Sequence, residues 1–345
     1  MDVLIDRLRS VLVSALSGAF GGENVFLIVV NLLLLALGLF VIIKGGDAFV
    51  DAATWIAEVS GIPKFIVGAT VVSLATTLPE LLTSVFAASR GSIDMAIGNA
   101  VGSVTANIGL IMAISILAIP SVIKRKDYVV KICLMLGAAV VIVSFGLGGK
   151  VSIVACVILA VLFCANIWEN LRAAKRGVSE QDQTKISERP PHDGKTIARN
   201  VVKFVLGTAG IVLGAELLVS SGSSLATAAG VSERLISVTL IAVGTSLPEL
   251  VTTITAIAKK QSDLSVGNII GANIIDLTLI LPICAFLSGQ ALPVSAQIAS
   301  IDFPAVLIVG AVACVPPLFT KKFQRWQGIA LLVLYVIYLT LTTLA

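Results

Sequence analysis

The chain has 345 residues, of which 57% are hydrophobic and 13% charged, with a mean hydropathy of +1.04. These values exclude an ordinary soluble globular protein and indicate a polytopic membrane protein. A formal charge of +4 with only 6% aromatic residues gives no basic, aromatic-interleaved surface of the kind that binds nucleic acid.

Taken from the N-terminus, residues 1–25 read as an interfacial helix, with Leu4, Leu8, Val11, Leu12 and Leu16 on one face against Asp2, Asp6, Arg7 and Arg9. The two aspartates do not suit the n-region of a signal peptide. A bilayer crossing needs about 20 apolar residues. The first half, 26–172, supplies candidate spans at 26–43, 65–89, 95–118, 129–147 and 151–168. The second, 200–345, supplies them at 201–221, 235–258, 264–287, 303–319 and 326–344. Ten transmembrane helices are expected. Between the halves, 173–199 is polar, charged and interrupted by Pro190 and Pro191, a flexible linker that holds His192, the one histidine. Cys133, Cys156, Cys164, Cys284 and Cys314 lie in or beside apolar spans without CxxC spacing and read as small buried hydrophobes.

Orientation follows from Lys and Arg, which accumulate on the cytoplasmic side. Placing the N-terminus outside puts Lys124, Arg125, Lys126, Lys131, the linker cations, Lys259, Lys260, Lys321, Lys322 and Arg325 on that side. Only Arg7, Arg9, Arg90, Lys150 and Arg234 stay outside. The expectation is a multi-pass protein of the cell (inner) membrane with a cytoplasmic linker at 173–199.

Sliding the chain on itself by 169 residues aligns 45–111 with 214–280 without a gap. Thr76, Leu78, Pro79, Glu80, Asp94, Gly98, Asn99 and Gly102 recur as Thr245, Leu247, Pro248, Glu249, Asp263, Gly267, Asn268 and Gly271. Apolar segments alike by chance would match in Leu, Val and Ala, not in Pro, Glu, Asn and Asp. Corresponding spans are five crossings apart, an odd number, so the repeats are inverted. The fold class expected is an all-α membrane protein of two inverted five-helix repeats, with discontinuous helices around a midplane ion site.

Glu80 and Glu249 fall mid-span, where an ionised carboxylate costs several kcal/mol unless a cation or proton accompanies it. Pro79 and Pro248 precede them. Each lacks an N–H and clashes with the carbonyl four residues back, at Ala75 and Gly244, so the helix should break. Carbonyls of residues such as Ser73, Thr76, Ala242 and Thr245, with the two threonine hydroxyls, then become oxygen ligands beside each carboxylate. Such a set suits a hard cation such as Ca²⁺, since sulfur and imidazole are absent. Read as packing or salt-bridge residues, the glutamates have no lysine or arginine expected at comparable depth to pair with. The second motif, Gly98-Asn99-x-x-Gly102-Ser103 and Gly267-Asn268-x-x-Gly271-Ala272, leads to Asn107 and Asp276. Its glycines alone would suit close packing. Ser103, Asn107 and Asp276 add a hydroxyl, an amide and a carboxyl.

On these paired motifs the chain resembles the calcium/cation antiporter superfamily, and most closely the prokaryotic sodium/calcium exchangers. The resemblance implies a Ca²⁺ held by Glu80, Glu249, Thr76 and Thr245. It also implies flanking Na⁺ sites, one served by Ser73 and Ser103, the other by Ala242 and position 272, and a middle site at Asn107 and Asp276. Ala272 stands where the family commonly has Ser, and Val104 where it has Asn. No enzyme and no resident cofactor is implied; Ca²⁺ and Na⁺ are cargo, and membrane lipid is the expected surrounding. Two alternatives stay open: a proton/calcium antiporter of the same fold, against which stands the lack of a glutamate shortly after each Gly-Asn, and a cation channel.

Overall fold

The computed structural model describes residues 23–119, 125–182, 193–230 and 244–344. It is a helical membrane protein. Helix α1 is Glu23–Ser60, followed by α2 (Lys64–Thr76), α3 (Leu78–Ser89), α4 (Ile93–Ala118), α5 (Arg125–Gly146) and α6 (Ile153–Asp182). The second half comprises α7 (Gly194–Ala228), α8 (Leu247–Ala258), α9 (Ser262–Ser288), α10 (Ile298–Thr320) and α11 (Arg325–Leu344).

Among the described residues, 8 helices are long and apolar enough to cross a membrane, and the bent pair α2–α3 makes up to 9. The expected span at 235–258 is represented by α8; its first part, with Ala242, lies outside the described residues, as do residues 1–22. The linker stretch 173–199 is helical at both ends, in α6 to Asp182 and in α7 from Gly194.

Proline explains the break between α2 and α3. Pro79 cannot donate to the Ala75 carbonyl, so the helix stops at Thr77 (φ −83°, ψ 0°) and restarts with a 46° bend. In the second half Ser246 has nearly the same backbone angles (φ −87°, ψ 5°), with Pro248 in the first turn of α8. Segments of π-helix open at Asn107 in α4 and at Asp276 in α9, positions that correspond in the repeat. Such segments recur at functional sites because they re-aim side chains without ending the helix.

Helices α4 and α9 are the innermost: 78% of the apolar window of each is buried, against 22% in α1, α7 and α11. Leu33, Phe40, Val205, Leu206 and Val336 are exposed on the outer helices, as required of surface facing lipid tails. One apolar core runs through both repeats, joining Ile97, Val101, Ile132 and Leu159 to Ile270, Leu277, Phe303 and Val309. A second cluster, including Ile42, Phe49 and Ile211, joins α1 and α7 to α2, α8 and α9 through Val72, Ala256 and Leu264. Short strands β1 (Lys150–Val151) and β2 (Leu292–Pro293) pair antiparallel and join the α5–α6 loop to the α9–α10 loop.

Glycine sets two backbone-to-backbone seams. Between α1 and α7, a Cβ at Gly45 would lie 2.8 Å from the Ile211 nitrogen, and one at Gly207 2.7 Å from the Phe49 nitrogen. Between α2 and α9, a Cβ at Gly68 would lie 2.3 Å from the Leu264 carbonyl oxygen, and one at Gly267 2.1 Å from that of Phe65. The second seam presses the motif helix α9 against the half-helix that precedes Glu80.

Two expectations change. Cys133 and Cys164 are exposed rather than buried, on lipid-facing helix surfaces, while Cys156, Cys284 and Cys314 are buried. Lys131, grouped above with the cytoplasmic cations, is fully buried. Its Nζ donates to Asn166 Oδ1 at 2.5 Å and to Asn170 Oδ1, both on α6. Long charged side chains are buried only when partnered in this way.

Gly267→Val is expected to overpack the α2–α9 seam and destabilise the protein by about 3 kcal/mol. Gly137→Ala, at a site with nothing within 4 Å of the added carbon, should be neutral or slightly stabilising. Thermal unfolding in detergent, followed by size-exclusion chromatography, compares the two.

Candidate cation site

The two helix breaks give each glutamate the same electrostatic setting. Glu80 occupies the first turn of α3 and Glu249 the first turn of α8. The N-terminal turn of a helix presents unpaired N–H groups and the positive end of the helix dipole, which favour a carboxylate. Both glutamates are buried, at 1% and 0% exposure, so water does not solvate them.

Contacts cross between the repeats. Thr77, the residue at the first break, donates its hydroxyl to Glu249 Oε1 at 3.3 Å. Thr76 donates to Asn268 Oδ1 at 3.2 Å, and Asn107 Nδ2 donates to Asn273 Oδ1 at 3.1 Å. Within the first repeat, Asn99 Nδ2 donates to the Glu80 backbone carbonyl at 3.1 Å and to Ser84 Oγ at 2.9 Å. The Asn of the Gly-Asn motif therefore holds the backbone at the break in one half and meets the threonine of the opposite break in the other.

What remains unpaired is mostly acceptor oxygen. Both carboxylate oxygens of Glu80, Oε2 of Glu249, both oxygens of Asp276 and Oδ1 of Asn107 are buried without a hydrogen-bond partner. Buried polar atoms left this way are rare and call for an ion, a water or a proton. Glu80 lies close enough to Glu249 and Asp276 for their charges to repel when all are ionised, so a cation relieves desolvation and repulsion together. Among the described residues no three Asp, Glu, His or Cys side chains converge to hold a metal ion by themselves. A cation held here must draw further ligands from hydroxyl, amide and backbone oxygens, a donor set that fits hard ions.

The remaining candidates divide. Ser73 is fully buried, with its hydroxyl donating to the Thr70 carbonyl at 3.1 Å; its own carbonyl accepts from the Thr77 nitrogen at 2.9 Å and is not free. Thr245 is half-buried and lines two cavities. One, of 550 Å³, runs between Pro79, Pro248 and Glu216 of α7. The other, of 610 Å³, also contains Ser103 and Asn99. Ala272 is fully buried and offers no side-chain oxygen. Ala242 lies outside the described residues. Thr77 and Asn273 were not singled out by sequence; Thr77 carried a signal, since it aligns with Ser246, a second hydroxyl at the equivalent break.

Comparison with known proteins agrees with this geometry. The sequence profile of the sodium/calcium exchanger protein family matches residues 30–170 and 200–344, one segment in each repeat. The chain is 33% identical over 311 residues to an uncharacterized membrane protein of Methanocaldococcus jannaschii, covering 87% of this chain and 94% of that protein. It is 30% identical to the sodium/calcium exchanger MaX1 of Methanosarcina acetivorans, covering 91% and 98%, and 34% identical to the inner membrane protein YrbG of Escherichia coli, covering 81% and 86%. A solved structure of the sodium-calcium exchanger NCX_Mj superposes with a TM-score of 0.75 at 29% identity, covering 90% of this chain and 98% of that one. Two matching segments, a shared helical fold and paired helix breaks each ending in a buried glutamate establish the chain as a multi-pass membrane transporter of the sodium/calcium exchanger family.

Proposed function

We propose that the protein is a secondary antiporter that exchanges Ca²⁺ for Na⁺ across the cell membrane. The observation that carries this reading is the set of buried, unpaired oxygens on Glu80, Glu249, Asp276 and Asn107 at two facing helix breaks. Support comes from MaX1 and NCX_Mj, named as sodium/calcium exchangers at about this level of identity.

In this reading Glu80 and Glu249, with oxygens of Thr76 and Thr245, hold one Ca²⁺ or share their charge among several Na⁺ ions. Ser73 and Ser103 serve one flanking Na⁺ site, Ala242 and position 272 the other, and Asn107 with Asp276 the middle. Competition for the same carboxylates provides the coupling. A loaded site is neutralised and can pass the hydrophobic barrier, whereas the ion-free site carries unpaired charge and resists the transition. The glycine seam lets α1 and α7 move as one unit against the core. The membrane orientation proposed is N-terminus outside, linker 173–199 cytoplasmic, with the chain divided at 25, 172 and 199.

Three outcomes test the reading. Proteoliposomes loaded with Na⁺ should take up radiolabelled Ca²⁺ along an imposed Na⁺ gradient; uptake driven by a pH gradient alone would move the assignment to proton/calcium exchange, and flux without coupling to a channel. Glu80→Gln should lower that uptake at least about 100-fold, the loss expected when a buried charge-assisted ligand is removed; retained transport would sink the site. Ala272→Ser, restoring a hydroxyl, should lower the half-saturating Na⁺ concentration with little effect on Ca²⁺. For the orientation, an impermeant thiol reagent should reach a cysteine placed at Gly91 from outside and one at His192 only from the cytoplasm.

A further inference from the structure

The fourth and fifth helices of each repeat carry a buried ionisable residue held by its neighbour, and the two are of opposite charge. In the first repeat it is Lys131 on α5, bound by Asn166 and Asn170 of α6. In the second it is Asp302 on α10, 6% exposed, whose Oδ1 accepts from the Tyr338 hydroxyl of α11 at 2.6 Å. Asp302 follows Lys131 by 171 residues, and Tyr338 follows Asn166 by 172, close to the register of 169 that relates the motifs. The two pairs lie on the same two helices of each repeat though not in the same register, and their charges are opposite.

Asp302 differs from Lys131 in what it faces. It lines the 610 Å³ cavity that also holds Ser103, Asn99 and Thr245. The mouth of that cavity is marked by Asp94 and Ser295, joined by a hydrogen bond from the Ser295 nitrogen to Asp94 Oδ1 at 3.2 Å. Further in, Ser103 is 3% exposed and lines the same space. Asp302 also ends a π-helical segment, Ile298–Asp302, a local rewinding that changes where its side chain points.

We infer that Asp302, oriented by Tyr338, is the electrostatic attractor of one route to the glutamates: it concentrates hard cations in the cavity without being one of their final ligands. Asp94 lines the same cavity at its exposed mouth, and Asp302 adds a second, buried carboxylate further along it; negative charge in a cleft with low-dielectric walls focuses the field and raises the local cation concentration. This inference rests on the exchange reading above and adds to it a residue outside the midplane cluster.

The test uses the full-length protein in right-side-out and inverted membrane vesicles, with radiolabelled Ca²⁺ supplied to one face at a time. Asp302→Asn keeps an oxygen to accept from Tyr338 and removes the charge. The half-saturating Ca²⁺ concentration is expected to rise about tenfold, within the range of electrostatic focusing, on the face bearing Asp94 and Ser295. It should stay unchanged on the other face, with the maximal rate preserved. Unchanged half-saturation on both faces, or an equal rise on both, overturns the inference. Should the variant not reach the membrane, Asp302→Ser is measured in its place, with the same rise expected on the Asp94 face alone; an absent rise, or an equal rise on both faces, overturns the inference. No exchange at all by the unsubstituted protein would instead sink the exchange reading itself.

Discussion

Placing two carboxylates inside a hydrocarbon layer is the constraint on which the rest of this structure depends. An ionised group there costs several kcal/mol unless its charge is answered, and the chain answers it first with its own backbone. Pro79 stops a helix just ahead of Glu80, and Pro79 and Pro248 each stand in the first turn of the helix that carries the glutamate. Each carboxylate then sits on a positive helix terminus. The glycine contacts of α2 with α9 bring the motif amides close enough to reach these breaks; Asn268 meets Thr76 across that seam.

Duplication supplied the frame, and divergence then differentiated the two halves. Glu80 and Glu249 match, but Asn107 stands opposite Asp276 and Ser103 opposite Ala272. The halves also bond differently: Thr77 reaches Glu249, while both Glu80 oxygens are left without a donor. A site with paired motif helices thus presents unequal donors on its two sides.

The parts of the molecule legible in the sequence were those written as repeated, chemically costly residues. Pro-Glu pairs inside apolar runs, Gly-Asn spaced to a polar residue, and an odd number of intervening spans sufficed for the helical repeat and for naming Glu80, Glu249, Asn107 and Asp276. What escaped was pairing between sequence-distant helices. Lys131 stands at the start of the 129–147 span and counts with the cytoplasmic-side cations, and only the packing of α5 on α6 shows its ammonium enclosed by two asparagines. Thr77 looked like filler between Thr76 and Leu78 until the break turned its hydroxyl toward the other repeat. Asp302 lies in an apolar run without a repeated motif, and its tie to Tyr338 depends on how α10 and α11 pack.

The β1–β2 pairing has a mechanical consequence. These four residues belong to different repeats, yet they are hydrogen-bonded to each other, and the apolar core on the same helices is continuous across both repeats. Tilting one repeat as a rigid body against the other would tear that ribbon and divide that core. The line along which the gene was doubled is therefore not the line along which the protein can flex. The smaller apolar cluster at α1 and α7 takes in Val72 of α2, Ala256 of α8 and Leu264 of α9 as well, so the leading helix of each copy is anchored on the motif helices of both.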